Sequence, residues 1–554
     1  MRQNMEQDTA WLDCLPRGMY FGKKSYDEEQ DLLTWDTVED MIPLPYIVSH
    51  PAWTSCYQYA LKILFKNIHK PNAGTGFVSN FIDAAFNKDI FLWDTCFMSM
   101  FCNLLSPFIP GICSLDNFYC KQFDDGEIPR EMVRDTGKDF LLWTNRFHAP
   151  LYSQFHNHYK FRGLSTMTDI SFDDLYKPNL GRTPEEKPYL TLDNLNHPLL
   201  AWAEWESWKQ TGNTKRLSMV IESLWHYYKA LHYHLRHTNN LYVTDWASMD
   251  NSPRNKGLAL GVDISSEMVL FANNLISIMD VLEKEGFPVI EKQGRTEQLI
   301  KEKNETAQAI QNLMWDEKTK FFYDLDQSMH RIPIKTAAAF WTILSGVATK
   351  SQQEALCIWL EDKKTFNRPH RVPSLAADEP TYEPEGGYWR GSVWTPLNTM
   401  IIRGLQETNH YELARTIALN DIDCVSKVFL DTGTIWENYS ADFITKGNSD
   451  HPDLVGWSGM APILFFIQLG IGLETANKNN GIIWHLDDQE IATGPIGCKR
   501  YWWKENQADF DARIEGQKSI ITIRTKNKFP LTVIIKGLSK EYFIQGNATI
   551  IWNT

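Results

Sequence analysis

The sequence predicts a mainly helical body followed by a small antiparallel β-domain. Three observations carry this prediction. Between residues 51 and 475 apolar residues recur at three- and four-residue steps, the period of an amphipathic helix. Strands do not alternate with helices over that stretch, so there is no sign of a parallel sheet. From about residue 481 the pattern changes to short alternating runs separated by Gly and Asn, which read as hairpins.

Each element has a local cause. Residues 1–45 show no clear period and are expected to form an extended lead-in packed on the helical body. The stretch 51–68 opens on Pro51, a residue suited to the first turn of a helix. In 197–210, Leu199, Leu200, Trp202, Ala203, Trp205 and Trp208 keep helical spacing, and Gly212 supplies the stop. The same reasoning marks helices at 217–236, 265–284, 296–314, 336–344, 352–360, 395–405, 411–429 and 457–469. The runs 519–525, 531–535 and 549–552 read as strands. The predicted division is a lead-in at 1–45, a helical domain at 46–477 and an antiparallel β-domain at 478–554.

Composition narrows the function classes. The chain has 554 residues, with 55 Lys and Arg against 69 Asp and Glu, a net charge of −14. Such acidity argues against nucleic acid, which selects a basic footprint. Nine cysteines at irregular spacing, with no Cys-x-x-Cys pair, predict free buried thiols rather than a disulfide framework or structural zinc. His226, His232, His234 and His237 lack a zinc-binding spacing, so no metal and no cofactor are expected. The most apolar stretch, 461–473, is shorter than a membrane span and no membrane partner is expected. Residues 1–24 have no apolar signal core. A cytoplasmic protein is therefore expected, or a periplasmic one had an export signal been removed. Oligomeric state is not legible.

The 21 Trp, 21 Tyr and 29 Phe include more rings than a core needs, and many sit in loops beside charged residues. Five segments stand out, four of them combining Trp or Tyr with a carboxylate or Arg: 91–98 with Trp93 and Asp94, 244–254 with Trp246 and Asp250, 385–394 with Trp389, Arg390 and Trp394, and 433–439 with Glu437 and Tyr439; the fifth, 124–131, holds carboxylates and Arg130 without a ring. Such mixtures suit a sugar, whose C–H faces pack on rings while its hydroxyls need polar partners. Hydrolysis of a glycosidic bond needs two carboxyl groups, and Asp250 and Glu437 are the candidate pair. A loop acid next to Met249 and close to Trp246 is suited to stay protonated, whereas Glu437 must be ionised to act as a base. Asp245 is the rival acid, and Glu385 and Asp442 are rival bases.

Taken in order, Met249-Asp250-Asn251-Ser252-Pro253-Arg254, Gly386-Gly387-Tyr388-Trp389-Arg390-Gly391-Ser392-Val393-Trp394 and Trp436-Glu437-Asn438-Tyr439 resemble the signatures of glycoside hydrolase family 63. That family shares a clan with the trehalases of family 37. Trp93-Asp94-Thr95 and Pro198-Leu199-Leu200-Ala201-Trp202 extend the resemblance over roughly residues 85–470. The chain departs from many relatives at Trp246-Ala247-Ser248, at Ser392 and after Tyr439, and it is closer to the compact bacterial members. The resemblance implies an (α/α)6 toroid and inverting hydrolysis of an α-glycoside. It implies Asp250 as general acid, Glu437 as base, Trp93 and Asp94 gripping the sugar, Trp389 and Trp394 walling its pocket, and Asn196 as a further sugar contact. Trp246, Arg390 and Tyr439 are expected to touch substrate as well. The expected activity is an exo-acting α-glycosidase, an α-glucosidase first, with a trehalase or glycosylglycerate hydrolase as the alternative on the same scaffold. A sugar-binding protein derived from a hydrolase is the alternative of another class.

Overall fold

The computed structural model describes residues 18–28, 31–123, 126–137, 197–244, 249, 251–254, 259–326, 328–447, 451–476 and 481–553. Apart from 336–344, which is a 3-10 turn running into the single helical turn Trp341–Leu344, the expected helices form within a few residues of their predicted bounds, and Leu92–Cys102 adds one that the apolar period did not mark. They are α1 (Pro51–Lys66), α2 (Leu92–Cys102), α3 (Leu200–Thr211), α4 (Thr214–Leu235), α5 (Val262–Lys284), α6 (Lys292–Ala309), α7 (Lys350–Glu361), α8 (Thr395–Glu407), α9 (Tyr411–Thr432) and α10 (Met460–Gly470). Gly212 ends α3 in the left-handed region at φ 70°, the stop its sequence position suggested.

The helices are of two kinds. In α2 every residue except Trp93 is buried, and all of α10 is buried. A helix that is covered all round belongs inside the body. Others bury one stripe only: α6 buries Arg295, Leu299, Glu302, Thr306 and Ala309, at three- and four-residue steps, and is otherwise mostly polar. These form the outer surface. Packing runs α2 against α3 and α10, α5 against α3, α4 and α6, α8 against α9, and α9 against α1 and α10. Two short strands, β2 (Asp89–Phe91) and β3 (Glu131–Val133), pair antiparallel just before α2 and fix its start.

The β-region corrects three expectations. It begins before residue 478, since β4 (Leu473–Thr475) pairs with β5 (Ile482–Leu486). It also recruits the lead-in: β1 (Leu44–Ile47) pairs antiparallel with β6 (Ile496–Trp503), with Tyr46 opposite Gly497. The pairing needs glycine there, because a Cβ on residue 497 would lie 2.0 Å from Phe510 O and 2.7 Å from the Tyr46 hydroxyl. That hydroxyl donates to Asp511 at 2.6 Å. Finally, the region is not wholly antiparallel. The chain leaves β5, builds β6, β7 (Asn506–Glu515) and β8 (Lys518–Thr525) in the first sheet, then returns with β9 (Lys528–Ile535) parallel to β5. With β10 (Leu538–Gln545) and β11 (Ala548–Asn553), the sheet orders are β1-β6-β7-β8-β11 and β4-β5-β9-β10. Aromatic rings join the two sheets, with Trp484 against Phe510 at 5.3 Å and Trp503 against Phe529 at 4.7 Å.

The β-region docks on the helical body. Gln210 at the end of α3 donates to Trp502 O at 2.7 Å, Arg415 of α9 pairs with Asp487 at 2.8 Å, and His485 stacks on Tyr411 at 4.0 Å. Eight described cysteines are free thiols, most of them buried. Among the described residues no helix is long and apolar enough to cross a membrane.

Candidate active site

The described parts of four of the five segments meet at one cavity of about 120 Å³. Trp93 and Asp94 come from the first turn of α2, Tyr388, Trp389 and Trp394 from the turn before α8, and Glu437 from the loop after α9. Phe86, Phe91, Arg130 and Trp457 complete the lining. Two larger surface cavities, of about 460 and 790 Å³, both border Asn103, beyond the other end of α2. That places them roughly one helix length, about 16 Å, from Trp93 and Asp94.

Indole rings form the walls. Trp389 and Trp394 stack face to face, 3.9 Å apart and within 3° of parallel. Trp457 stands 5.7 Å from Trp394 and 5.5 Å from Trp93, nearly perpendicular to the latter. The turn that carries Tyr388 and Trp389 is tightly wound. Gly386, Gly387 and Gly391 have φ of 132°, 58° and 151°, and Tyr388 itself sits at φ 60°. Side chains are excluded at Gly387 and Gly391, where a Cβ would fall within 2.5 Å of Glu383 atoms. A tyrosine in the left-handed region is strained by about 1–2 kcal/mol and persists only where its surroundings enforce it.

Glu437 is one of two carboxyl groups that line this cavity among the described residues. It is 1% exposed. The Tyr388 hydroxyl donates to its Oε1 at 3.3 Å and Asn438 Nδ2 to its Oε2 at 3.3 Å. Its backbone is fixed as well: Trp457 Nε1 donates to Glu437 O at 2.8 Å, and Val393 and Tyr439 exchange backbone hydrogen bonds one residue pair further on. Asp94 lies close by, the third residue of α2, whose N-cap is Phe91. Burial pushes the Asp94 carboxyl well above the carboxylate range, and the charge of Glu437 pushes the same way, against its own backbone N–H and Arg130. Both effects favour the protonated, hydrogen-bond-donating form of Asp94, beside an acceptor and a guanidinium. That set serves a polyhydroxylated ligand.

Other expectations fall elsewhere. Arg390 does not line the cavity; its guanidinium pairs with Glu383 and holds the turn from outside. Tyr439 lies behind the wall, 1% exposed, its hydroxyl accepting from Trp436 N at 3.1 Å. Both are supports of the site, not contacts within it. The rival base Asp442 is bound to Arg368 at 2.5 Å, and Glu385 is exposed away from the cavity. Asp250, Trp246, Asn196 and Asp245 lie outside the described residues.

Residues beside Asp250 are nevertheless described. Met249 is buried, Asn251 hydrogen-bonds the Gly387–Trp389 turn, and Arg254 is bound to Asp263 at 2.5 Å and Asp324 at 2.6 Å. The sequence reading did not single out Asn251, Arg130, Tyr388 or Trp457 as site residues. Asn251, Arg130 and Tyr388 stood within quoted segments, so proximity to the candidate carboxylates was an available signal. Trp457 carried none beyond opening a helix.

A helical body presenting rings, carboxyls and one guanidinium around a small cavity is the build of a carbohydrate-active domain. Comparison with known proteins makes this particular. The profile of the mannosylglycerate hydrolase MGH1-like glycoside hydrolase domain matches residues 142–442, more than half of the chain. The chain belongs to this family, in agreement with its resemblance to glycoside hydrolase family 63. An uncharacterized protein of Borreliella burgdorferi is 27% identical over 328 residues, covering 57% of this chain and 66% of that protein. A probable mannosyl-oligosaccharide glucosidase of Schizosaccharomyces pombe is 24% identical over 316 residues, covering 53% of this chain and 37% of the relative. The chain thus spans less than two thirds of the length of these curated relatives. The crystal structure of the GH63 mannosylglycerate hydrolase from Thermus thermophilus in complex with glucose superimposes with a TM-score of 0.52 at 15% identity, over 74% of this chain and 99% of that one. At that identity the likeness speaks for the fold alone.

Proposed function

We propose that this protein is an inverting, exo-acting α-glycosidase on an (α/α)6 toroid, with 478–554 as the bulk of an appended β-domain. Asp250 protonates the leaving oxygen, and Glu437 activates a water on the opposite face of the sugar. The observation that carries the reading is the cavity itself: a buried, hydrogen-bonded Glu437 facing Trp93, Trp389, Trp394 and Trp457, with Asp94 beside it. A cavity of about 120 Å³ with ring walls suits one terminal sugar unit better than the middle of a chain. The burial of Met249 before Asp250 and the contacts of Asn251 and Arg254 after it support its role, since a general acid must be held in place.

The substrate class is an α-glucoside or a related α-glycoside. One observation favours a second reading within it. Arg130 is the single cationic side chain that lines the cavity among the described residues, and a guanidinium suits an aglycone bearing a carboxylate. A glycosylglycerate carries one, and relatives named mannosylglycerate hydrolase are 30% identical to this chain over 103–112 residues. Assaying α-glucosides, trehalose and α-glycosylglycerates side by side separates the readings. Arg130→Met should raise KM for a glycosylglycerate and leave neutral substrates nearly unchanged if the second holds.

A further inference from the structure

Tyr388 occupies backbone space that a tyrosine avoids, yet its hydroxyl is the one that donates to Glu437 Oε1. Something must hold it there. The peptide group before Tyr388 offers Gly387 O, and the peptide group after it offers Trp389 N. Both are bound by one side chain: Asn251 Nδ2 donates to Gly387 O at 3.0 Å, and Asn251 Oδ1 accepts from Trp389 N at 2.9 Å. The amide thereby grips both peptides that flank the strained residue and sets its φ and ψ. Only Asn fits this use at that reach. Asp lacks the donor, and Gln is one methylene too long for the same two contacts. Trp394 Nε1 adds a bond to Tyr388 O at 3.3 Å, completing the frame around the turn.

We infer that Asn251 is a positioning residue for the base: it fixes Tyr388 so that the phenol hydroxyl orients the Glu437 carboxylate. The inference rests on the glycosidase reading and deepens it. Asn251 directly follows Asp250 in the chain, so one loop carries the proposed acid and sets the aim of the proposed base. Asp94 and Arg130 line the same cavity as Glu437, and neither takes part in the two hydrogen bonds between Asn251 and the turn, so both side chains are left in place when Asn251 is changed.

Steady-state kinetics on Asn251→Ala, Tyr388→Phe, the double variant and Glu437→Gln tests this. Asn251→Ala should lower kcat by about 10²-fold, the scale of a misplaced catalytic group, with KM within about threefold of wild type. Because Asn251 acts through Tyr388, the same substitution in the Tyr388→Phe background should cost less than about a third of that factor. A merely structural role would instead lower thermal stability with kcat per folded molecule preserved. Should the alanine variant not fold, Asn251→Asp keeps the acceptor for Trp389 N and loses the donor to Gly387 O, with the same expected split. Independent costs in the two backgrounds, or an unchanged kcat, overturn the inference. A crystal structure of Asn251→Ala decides without any activity: Tyr388 leaving φ near 60° and parting from Glu437 supports it, and an unmoved Tyr388 refutes it. Glu437→Gln retaining activity would sink the glycosidase mechanism instead, and it leaves that structural outcome to stand by itself.

Discussion

Glu437 is buried, and its carboxylate is held by donors from two directions. Replacing it by Gln keeps shape and polarity and removes the proposed base, so kcat should fall about 10³-fold or more with little change in thermal midpoint. A variant with a tenth of wild-type kcat would assign the base elsewhere. A neighbouring carboxyl makes a separate prediction. Burial, helped by the adjoining Asp89 carboxyl and opposed by Arg130, pushes Glu131 up from its ordinary 4.5 to about 9. Folded Glu131 keeps a proton that the unfolded chain releases. Its contribution to stability is thus complete below about pH 4.5 and is lost as pH rises through about 9. Glu131→Gln stands in for the protonated form, so its thermal midpoint should fall less than that of wild type between about pH 5 and 9. Parallel curves for the two proteins would contradict this. At this scale the sequence was informative where a residue acts through its own chemistry. Glu437, Trp93, Asp94, Trp389 and Trp394 all reach the cavity. It was uninformative where a role depends on distant partners: Arg390 and Tyr439 look like contacts until Glu383 and Trp436 are seen to bind them.

Among the elements, the loop ending at Arg254 and the first turn of α5 form one unit. Arg254 is 3% exposed and lies between Asp263 and Asp324, and Asp324 also accepts from Val262 N at 2.8 Å. Removing the guanidinium leaves two buried carboxylates without their counter-charge. Arg254→Ala should therefore destabilise the fold by about 3–5 kcal/mol. Arg254→Lys should rescue only part of this, because a single ammonium cannot bridge two carboxylates bidentately. Urea unfolding measures both, and a loss below about 1 kcal/mol in the alanine variant would contradict the assignment. The long helices were legible because their apolar period is set by the helix itself. Residues 395–405, expected as a helix, correspond to α8, which buries nearly its whole first two turns. β1 was not legible. Four residues between Pro43 and Val48 hold no period of their own, and their partner strand lies some 450 residues downstream. The parallel β5–β9 pair was missed for the same reason, as strand direction is set by the route of the chain between strands.

For the whole molecule, the β-region is tied to the helical body through Gln210, Arg415 and the His485–Tyr411 stack. Burial, reinforced by Arg415, lowers His485 from its ordinary 6.5 to about 4. The folded protein keeps this imidazole neutral where the unfolded chain would protonate it. Stability from this contact is present above about pH 6.5 and is lost as pH falls towards about 4. His485→Phe keeps the stack and removes the titration, so its thermal midpoint should decline less than that of wild type between about pH 6.5 and 4. An identical decline would place the acid sensitivity elsewhere. The arrangement of helices, β-region and cavity serves one central claim, that hydrolysis at this cavity proceeds with inversion. Proton NMR of a fresh digest tests it most directly, with wild type acting on a panel of α-glucosides, trehalose and α-glycosylglycerates. The account predicts that the β-anomer of the released sugar appears first and the α-anomer grows in only by mutarotation. Initial release of the α-anomer would contradict inversion and with it the acid–base pairing of Asp250 and Glu437.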